Sequence, residues 1–278
     1  MKETFDAISK KSSAITTKAY STSFTLGIRF LSKKYHDPIY AIYGFVRFAD
    51  EIADTFHDYN KQKLLEKFSR DTFEAIEDRI SMNPILNSLQ WAVNKFDIER
   101  GLIEQFLHSM KMDLYQKRYD REKFDAYVLG SAEVVGLMCL KVFVGRDTKK
   151  YSELTHPAMK LGAAFQKINF LRDMKADRKT LGRTYFPDMA NDQFNDRQKR
   201  RIESEIEADF REGLKGIKEL PPGTRFGVYL AYVYYYKLFR KIKRVKAEKL
   251  MNKRIRIPDP VKYALLFSTY LKHKIHRF

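Results

Sequence analysis

Asp50 and Asp54 stand four residues apart in "FADEIAD", a stretch that otherwise reads as the buried face of a helix. A second group, Asn169, Asp173 and Asp177 in "NFLRDMKADR", repeats the four-residue step much later in the chain. On an α-helix that step stacks side chains one turn apart on one face. Carboxylates on apolar helix faces are costly unless something compensates them. Two such faces turned toward one cavity would repel each other, and divalent cations are the direct remedy. Oxygen-only donors of this kind suit Mg²⁺, with Mn²⁺ as the alternative ion, and Mg²⁺ commonly shares its coordination with substrate phosphates. Arg47 lies one turn before Asp50, and Arg172 immediately precedes Asp173. Arginine suits forked contacts to phosphate, so the pattern points to a metal-assisted site for a diphosphate.

The elements that must hold these residues are helices. Ile39, Ile42, Tyr43 and Val46 recur at three- and four-residue steps in "DPIYAIYGFVRFADEIADTF", with Pro38 suited to a first turn. "NSLQWAVNKFDI", "GLIEQFLHSMKMDLYQ", "HPAMKLGAAFQKINFLRDMKADRK" and "DRQKRRIESEIEADFREGLKGIKEL" repeat that period. "KFDAYVLGSAEVVGLMCLKVFVG" predicts a long apolar helix, whose Gly130, Ser131, Ala132 and Gly136 allow close approach of a neighbouring helix or a ligand. "TLGRTYFP" and "PPG" read as turns, and no strand alternation or internal repeat persists. The expectation is an all-α fold in one domain over residues 1–278.

Composition narrows the class. The chain has 278 residues, 44% hydrophobic, with 12 glycines and 8 prolines, which favours long helices around a large core. Its one cysteine, Cys139, excludes an internal disulfide and reads as a small buried hydrophobe. The N-terminal segment has no signal-peptide pattern, and no run is expected to span a bilayer, so the expectation is a cytoplasmic protein. A formal net charge of +18 calls for an anionic partner: nucleic acid, a lipid surface or a phosphorylated small molecule. Much of it lies late, in "RKIKRVKAEKLMNKRIRI" and the closing "LKHKIHRF". A nucleic-acid binder would have no need of acidic pairs in apolar helices, so nucleic acid is not expected as a partner.

At these motifs the sequence resembles the head-to-head prenyl synthases, the squalene, dehydrosqualene and phytoene synthase family. The resemblance covers roughly residues 15 to 260. "YAIYGFVRFADEIAD" is similar to the first aspartate motif of the family and "FQKINFLRDMKADRKTLGRTYFP" to the second. "STSF" resembles its N-terminal diphosphate-binding segment, "MDLYQKRYD" the link before the central helix, and "YVLGSAEVVGLM" that helix. The resemblance implies the isoprenoid-synthase fold, with helices around an apolar cavity, and head-to-head condensation of two allylic diphosphates through a cyclopropyl intermediate.

Residue by residue, it implies that Asp50, Asp54, Asn169, Asp173 and Asp177 bind the metal. Ser21, Ser23, Tyr43, Arg47, Gln166, Arg172 and Arg183 would then contact diphosphate. The same comparison makes the four aspartates, Tyr43 and Arg47 the catalytic set. Phe24 and Tyr185 would close the pocket, while Asp113, Ala132, Val135 and Gly136 would adjoin substrate. Tyr235 and Arg254 are further diphosphate contacts. A catalytically dead scaffold would show a lost aspartate or arginine, and none of these positions is lost. The "RTYFP" motif and the paired aspartate pattern argue against head-to-tail synthases and terpene cyclases.

No G-x-G-x-x-G fingerprint is present, and NADPH is not expected. Ile28, one turn after Phe24, stands where the shorter-chain enzymes of the family would place a bulky aromatic. That favours geranylgeranyl diphosphate and phytoene, in carotenoid biosynthesis, over farnesyl diphosphate with dehydrosqualene or squalene. The basic C-terminal region with "YALLF" is expected to touch anionic lipid at the inner membrane surface.

Overall fold

A computed structural model describes residues 1–187 and 194–276. Its chain order is α1 (Lys2–Tyr20), α2 (Thr22–Arg29), α3 (His36–Asp54), α4 (Lys61–Asp78), α5 (Pro84–Phe96), α6 (Arg100–Tyr115), α7 (Arg121–Val128), α8 (Val134–Val144), α9 (Thr148–Lys179), α10 (Asp196–Glu219), α11 (Pro222–Lys243), α12 (Ala247–Asn252) and α13 (Asp259–His276). Among the described residues there is no β-strand, only one isolated bridge between Arg118 and Thr184. The all-α expectation is met.

Local chemistry sets the helix ends. Ser21 caps α2 by accepting from the Phe24 amide, and Asn83 caps α5 ahead of Pro84 in the first turn. Asn195 and Gln198 form a reciprocal capping box at α10, satisfying amides that have no partner within the helix. After α9 the chain turns through Gly182 at φ +65°, a conformation that costs glycine little. The Thr184 amide then donates to the Lys117 carbonyl at 2.8 Å. That bond ties the segment carrying Arg183 to the loop that follows α6.

Two apolar clusters build the interior. One gathers α3, α5 and α6 around Phe45, Leu86 and Phe106; the other gathers α9, α10 and α11 around Ile206, Phe210 and Phe239. Between them runs a central helix, α7 and α8 joined by one wider π-turn at Leu129–Glu133. Small residues let it come close to its neighbours. A Cβ on Gly130 would sit 2.6 Å from the Gln105 carbonyl oxygen of α6, and one on Gly162 of α9 would sit 2.6 Å from the Ala132 carbonyl.

One expectation is corrected here. The continuous helix Arg121–Val144 is long and apolar enough to cross a membrane by length and composition, and 61% of its most apolar window is buried inside the fold. Arg277 and Phe278 of the closing basic run lie outside the described residues, as do the side chains from residue 271 onward. Because backbone atoms oppose any Cβ at Gly162, Gly162→Val should destabilise the fold by about 1–3 kcal/mol. A lowered urea midpoint with an unchanged slope would register that loss.

Candidate active site

α3 and α9 carry the two acidic faces, and both turn toward one cavity of about 1000 Å³. Asp50, Asp54, Asn169, Asp173 and Asp177 all line it. So do Ser21, Ser23, Phe24 and Ile28 of the N-terminal segment, Tyr43 and Arg47 of α3, and Ala132, Val135 and Gly136 of the central helix. Gln166, Arg172, Tyr185, Tyr235 and Arg254 complete the predicted residues found on its wall. Helical stacking placed each group on one face; the packing of α3 and α9 on either side of the central helix made the faces converge.

Arginines neutralise most of the acidic charge. Arg47 Nη1 donates to Asp50 at 2.7 Å, and the same guanidinium contacts Glu51. Asp54 accepts from Arg183 at 2.5 Å. Asp173 is held from two sides, by Arg172 Nη2 and by Arg254 Nε, each at 2.5 Å. Mutual repulsion persists despite these pairs. Burial and then the neighbouring Asp54 push the Asp50 carboxyl up to about 7. Burial followed by Asp173 and Asp54 pushes Asp177 up to about 8. Both shifts follow from desolvation and like charge, and a bound cation would reverse them.

Two polar atoms at the site are buried without a hydrogen-bond partner among the described residues: Arg47 Nε and Ser131 Oγ. A buried donor left unpaired at a charged mouth fits a ligand that brings acceptors. Deeper in, the wall is aromatic and aliphatic. Phe165 stacks on Tyr235 at 4.1 Å between ring centres, and Phe24 lies 5.6 Å from Tyr43 and 6.0 Å from Tyr235. The Tyr235 hydroxyl faces Asn169 Oδ1 at 3.4 Å.

Two predicted residues are not on this cavity wall. Asp113 and Arg183 line a second, smaller cavity behind it. Asp113 is 5% exposed and accepts hydrogen bonds from Tyr119 and Tyr185, each at 3.2 Å, and from Tyr127. Arg183 lies 3.6 Å from it. Asp113 therefore supports Arg183, which in turn grips Asp54. Burial is the main cause that pushes the Asp113 carboxyl up to about 6, opposed by Arg183 and the tyrosine hydroxyls.

Sequence reasoning also missed wall residues. Tyr127 of the central helix was among them, and Ser131, read only as a small residue that allows close approach, also lies on the wall. Arg256 and Lys262 come from the late basic segment, so part of the charge expected to face lipid faces the cavity instead. The alternation of Arg254 and Arg256 in "KRIRIP" was the one available signal. Cys139, expected to be a packed core residue, is half-buried on the cavity wall, where burial pushes its thiol up to about 12.

A family model described as squalene/phytoene synthase matches residues 17–260. Phytoene synthase 1 of Solanum lycopersicum is 26% identical over 242 residues, which cover 80% of this chain and 58% of that protein. The presqualene diphosphate synthase of Rhodopseudomonas palustris is 29% identical over 171 residues, 61% of this chain and 59% of that one. The chain thus spans less than two thirds of the length of these relatives. A crystal structure of a dehydrosqualene synthase with a ligand superposes with a TM-score of 0.78, at 22% identity, over 97% of both chains. The squalene synthase HpnC of Alicyclobacillus acidocaldarius gives 0.74 at 19% identity, over 85% of this chain and 93% of that one. These superpositions establish the isoprenoid-synthase fold.

Removing Asp113 would leave three tyrosine hydroxyls and one face of Arg183 without their acceptor. Asp113→Ala should therefore cost about 3–5 kcal/mol of stability, the range for breaking a buried ionic network. Chemical denaturation measures it, and a loss below about 1 kcal/mol would contradict the supporting role.

Proposed function

We propose the following reaction from one premise: the chain belongs to the squalene/phytoene synthase family. It is a prenyltransferase that joins two allylic prenyl diphosphates head to head. One observation carries the reading: a large apolar cavity whose mouth holds two facing acidic helices among arginines. The acidic and cationic rim suits the two diphosphates, and the apolar depth suits two prenyl chains.

The donor set fits Mg²⁺. It consists of hard oxygens whose mutual repulsion raises Asp50 and Asp177. Among the described residues no three acidic, histidine or cysteine side chains stand preassembled as a metal cluster. Asp50, Asp54, Asn169, Asp173 and Asp177 would hold the ion, the aspartates exchanging arginine contacts for it. When bound, the metal neutralises charge that develops on a departing diphosphate.

The rest falls to the chain's own residues. Arg47, Arg172, Arg254 and Arg256 bind and orient the diphosphates, and their charge favours departure of the leaving group. Phe24, Tyr43, Phe165 and Tyr235 face the allylic cation that departure creates, and their ring faces favour positive charge. The apolar wall keeps water from capturing that cation. Attack by the double bond of the second prenyl diphosphate forms one carbon–carbon bond and leaves a tertiary cation. Loss of a proton from the carbon that carried the departed diphosphate closes the ring, giving a cyclopropyl carbinyl diphosphate that keeps the second diphosphate. Its ionisation opens the ring, and proton loss gives a conjugated triene without NADPH.

The proposed substrate is geranylgeranyl diphosphate and the product phytoene. Ile28 supports the longer substrate: it is 4% exposed, lies on the wall, and is smaller than an aromatic ring. Exposed Val261 and Phe267 on basic α13 support contact with anionic lipid, where so apolar a product would be delivered.

Asp50→Asn or Asp173→Asn should lower hydrocarbon formation by about 10³-fold or more with the fold intact, as loss of a transition-state charge contact predicts. Mass analysis of extracts from Mg²⁺ incubations, with either substrate and with or without NADPH, tests this; wild-type rates in either variant would refute the site. Ile28→Phe should shift preference toward farnesyl diphosphate. Unchanged chain-length preference would remove the argument from Ile28. A thirty-carbon product from the wild-type chain would instead select the dehydrosqualene or squalene reaction.

A further inference from the structure

Behind the Asp54–Arg183 pair lies a second cavity of about 300 Å³. Its walls come from the end of α3, the start of α4, the loop after α6 and the turn after α9. Lys61, Lys117 and Arg183 face it against a single carboxylate, Asp113. That carboxylate is already engaged by three tyrosine hydroxyls and Arg183.

Lys61 has an unusual setting for a cation. Its ammonium donates to the Ala53 carbonyl at 2.9 Å and to His57 Nδ1 at 3.0 Å. An ammonium has only protons to offer, so His57 Nδ1 is the acceptor of this bond. No described carboxylate lies within ion-pair distance of Lys61 or Lys117. Burial and then the charge of Arg183 lower the Lys61 pKa, opposed in part by Asp54. The first turn of α4, which begins at Lys61, adds the positive end of an 18-residue helix.

We infer that this second cavity is a binding site for inorganic diphosphate. The assignment follows from the excess of cations over carboxylates, the helix start, and a volume of about ten waters at roughly 30 Å³ each. Arg183 stands between the two cavities, bonded to Asp54 on the main wall while facing the second chamber. Resting on the reaction proposed above, the site receives the diphosphate that the main cavity releases. Occupied, it withdraws Arg183 from Asp54 and slows the next turnover, so diphosphate inhibits in a way that added prenyl substrate does not relieve.

The test pairs binding with kinetics. Equilibrium dialysis with radiolabelled inorganic diphosphate and Mg²⁺ uses wild type, Lys61→Gln and Lys117→Glu, with a saturating prenyl thiodiphosphate filling the main cavity. Lys117 is exposed, so its charge reversal leaves folding intact. Label should remain bound to wild type under these conditions, and its affinity should fall about tenfold in both variants. In steady state, inhibition by diphosphate that persists at saturating substrate should weaken equally, while kcat and KM without added diphosphate stay unchanged. Equal binding in all three proteins, or complete displacement by the thiodiphosphate, overturns the site. Equal displacement by inorganic phosphate overturns the assignment to diphosphate. Absence of hydrocarbon with the dialysis differences intact would sink the reaction while the anion site stood.

Discussion

Like charges facing one apolar cavity are the constraint on which the structure depends. Asp50 and Asp54 on one helix and Asp173 and Asp177 on another cannot share a low-dielectric space unless cations separate them. Arg47, Arg172, Arg183 and Arg254 do this with direct ion pairs. The repulsion that remains, visible in the raised Asp50 and Asp177, leaves the site disposed to accept more positive charge. That disposition is the basis of the diphosphate chemistry proposed above.

Keeping that arrangement takes rigid helices at short range. The central helix lies near α6 at Gly130, against the Gln105 carbonyl and the Ser109 side chain, and near α9 at Gly162, where backbone meets backbone. Ser131 and Ala132, both within its π-turn, line the cavity. Around Arg183 the same rigidity is built from polar parts. Tyr119, Tyr127 and Tyr185 converge on Asp113, and their stacked rings continue into Phe170. The acidic mouth and the aromatic core are therefore one connected body.

The large positive charge divides among several tasks. Arg254, Arg256 and Lys262 stand on the main cavity wall, and Lys61 and Lys117 on the second. Lys167 joins α9 to α10 through buried Asp209 at 2.6 Å, and Lys199 pairs with Glu203 one turn along α10. Net charge alone suggests one extended basic surface; in the fold, part of the excess lines the two cavities instead.

The sequence by itself determined what depends on neighbours in the chain. Helical period, caps and the four-residue spacing of the aspartates fix secondary structure and place each acidic pair on one face. The motifs carrying the family resemblance are local for the same reason, so the all-α fold and most of the cavity wall were legible. Tertiary structure alone decided which faces met. It moved Asp113 and Arg183 off the main wall, because the turn after α9 is tied to the loop after α6. It brought Arg256 and Lys262 onto that wall from a distant segment, and it put into the central helix a π-turn that the 3.6-residue period conceals. Spacing along a helix is set by local backbone geometry. Contact between helices is set by which small residues permit approach and which charges find a partner, and both depend on the whole fold.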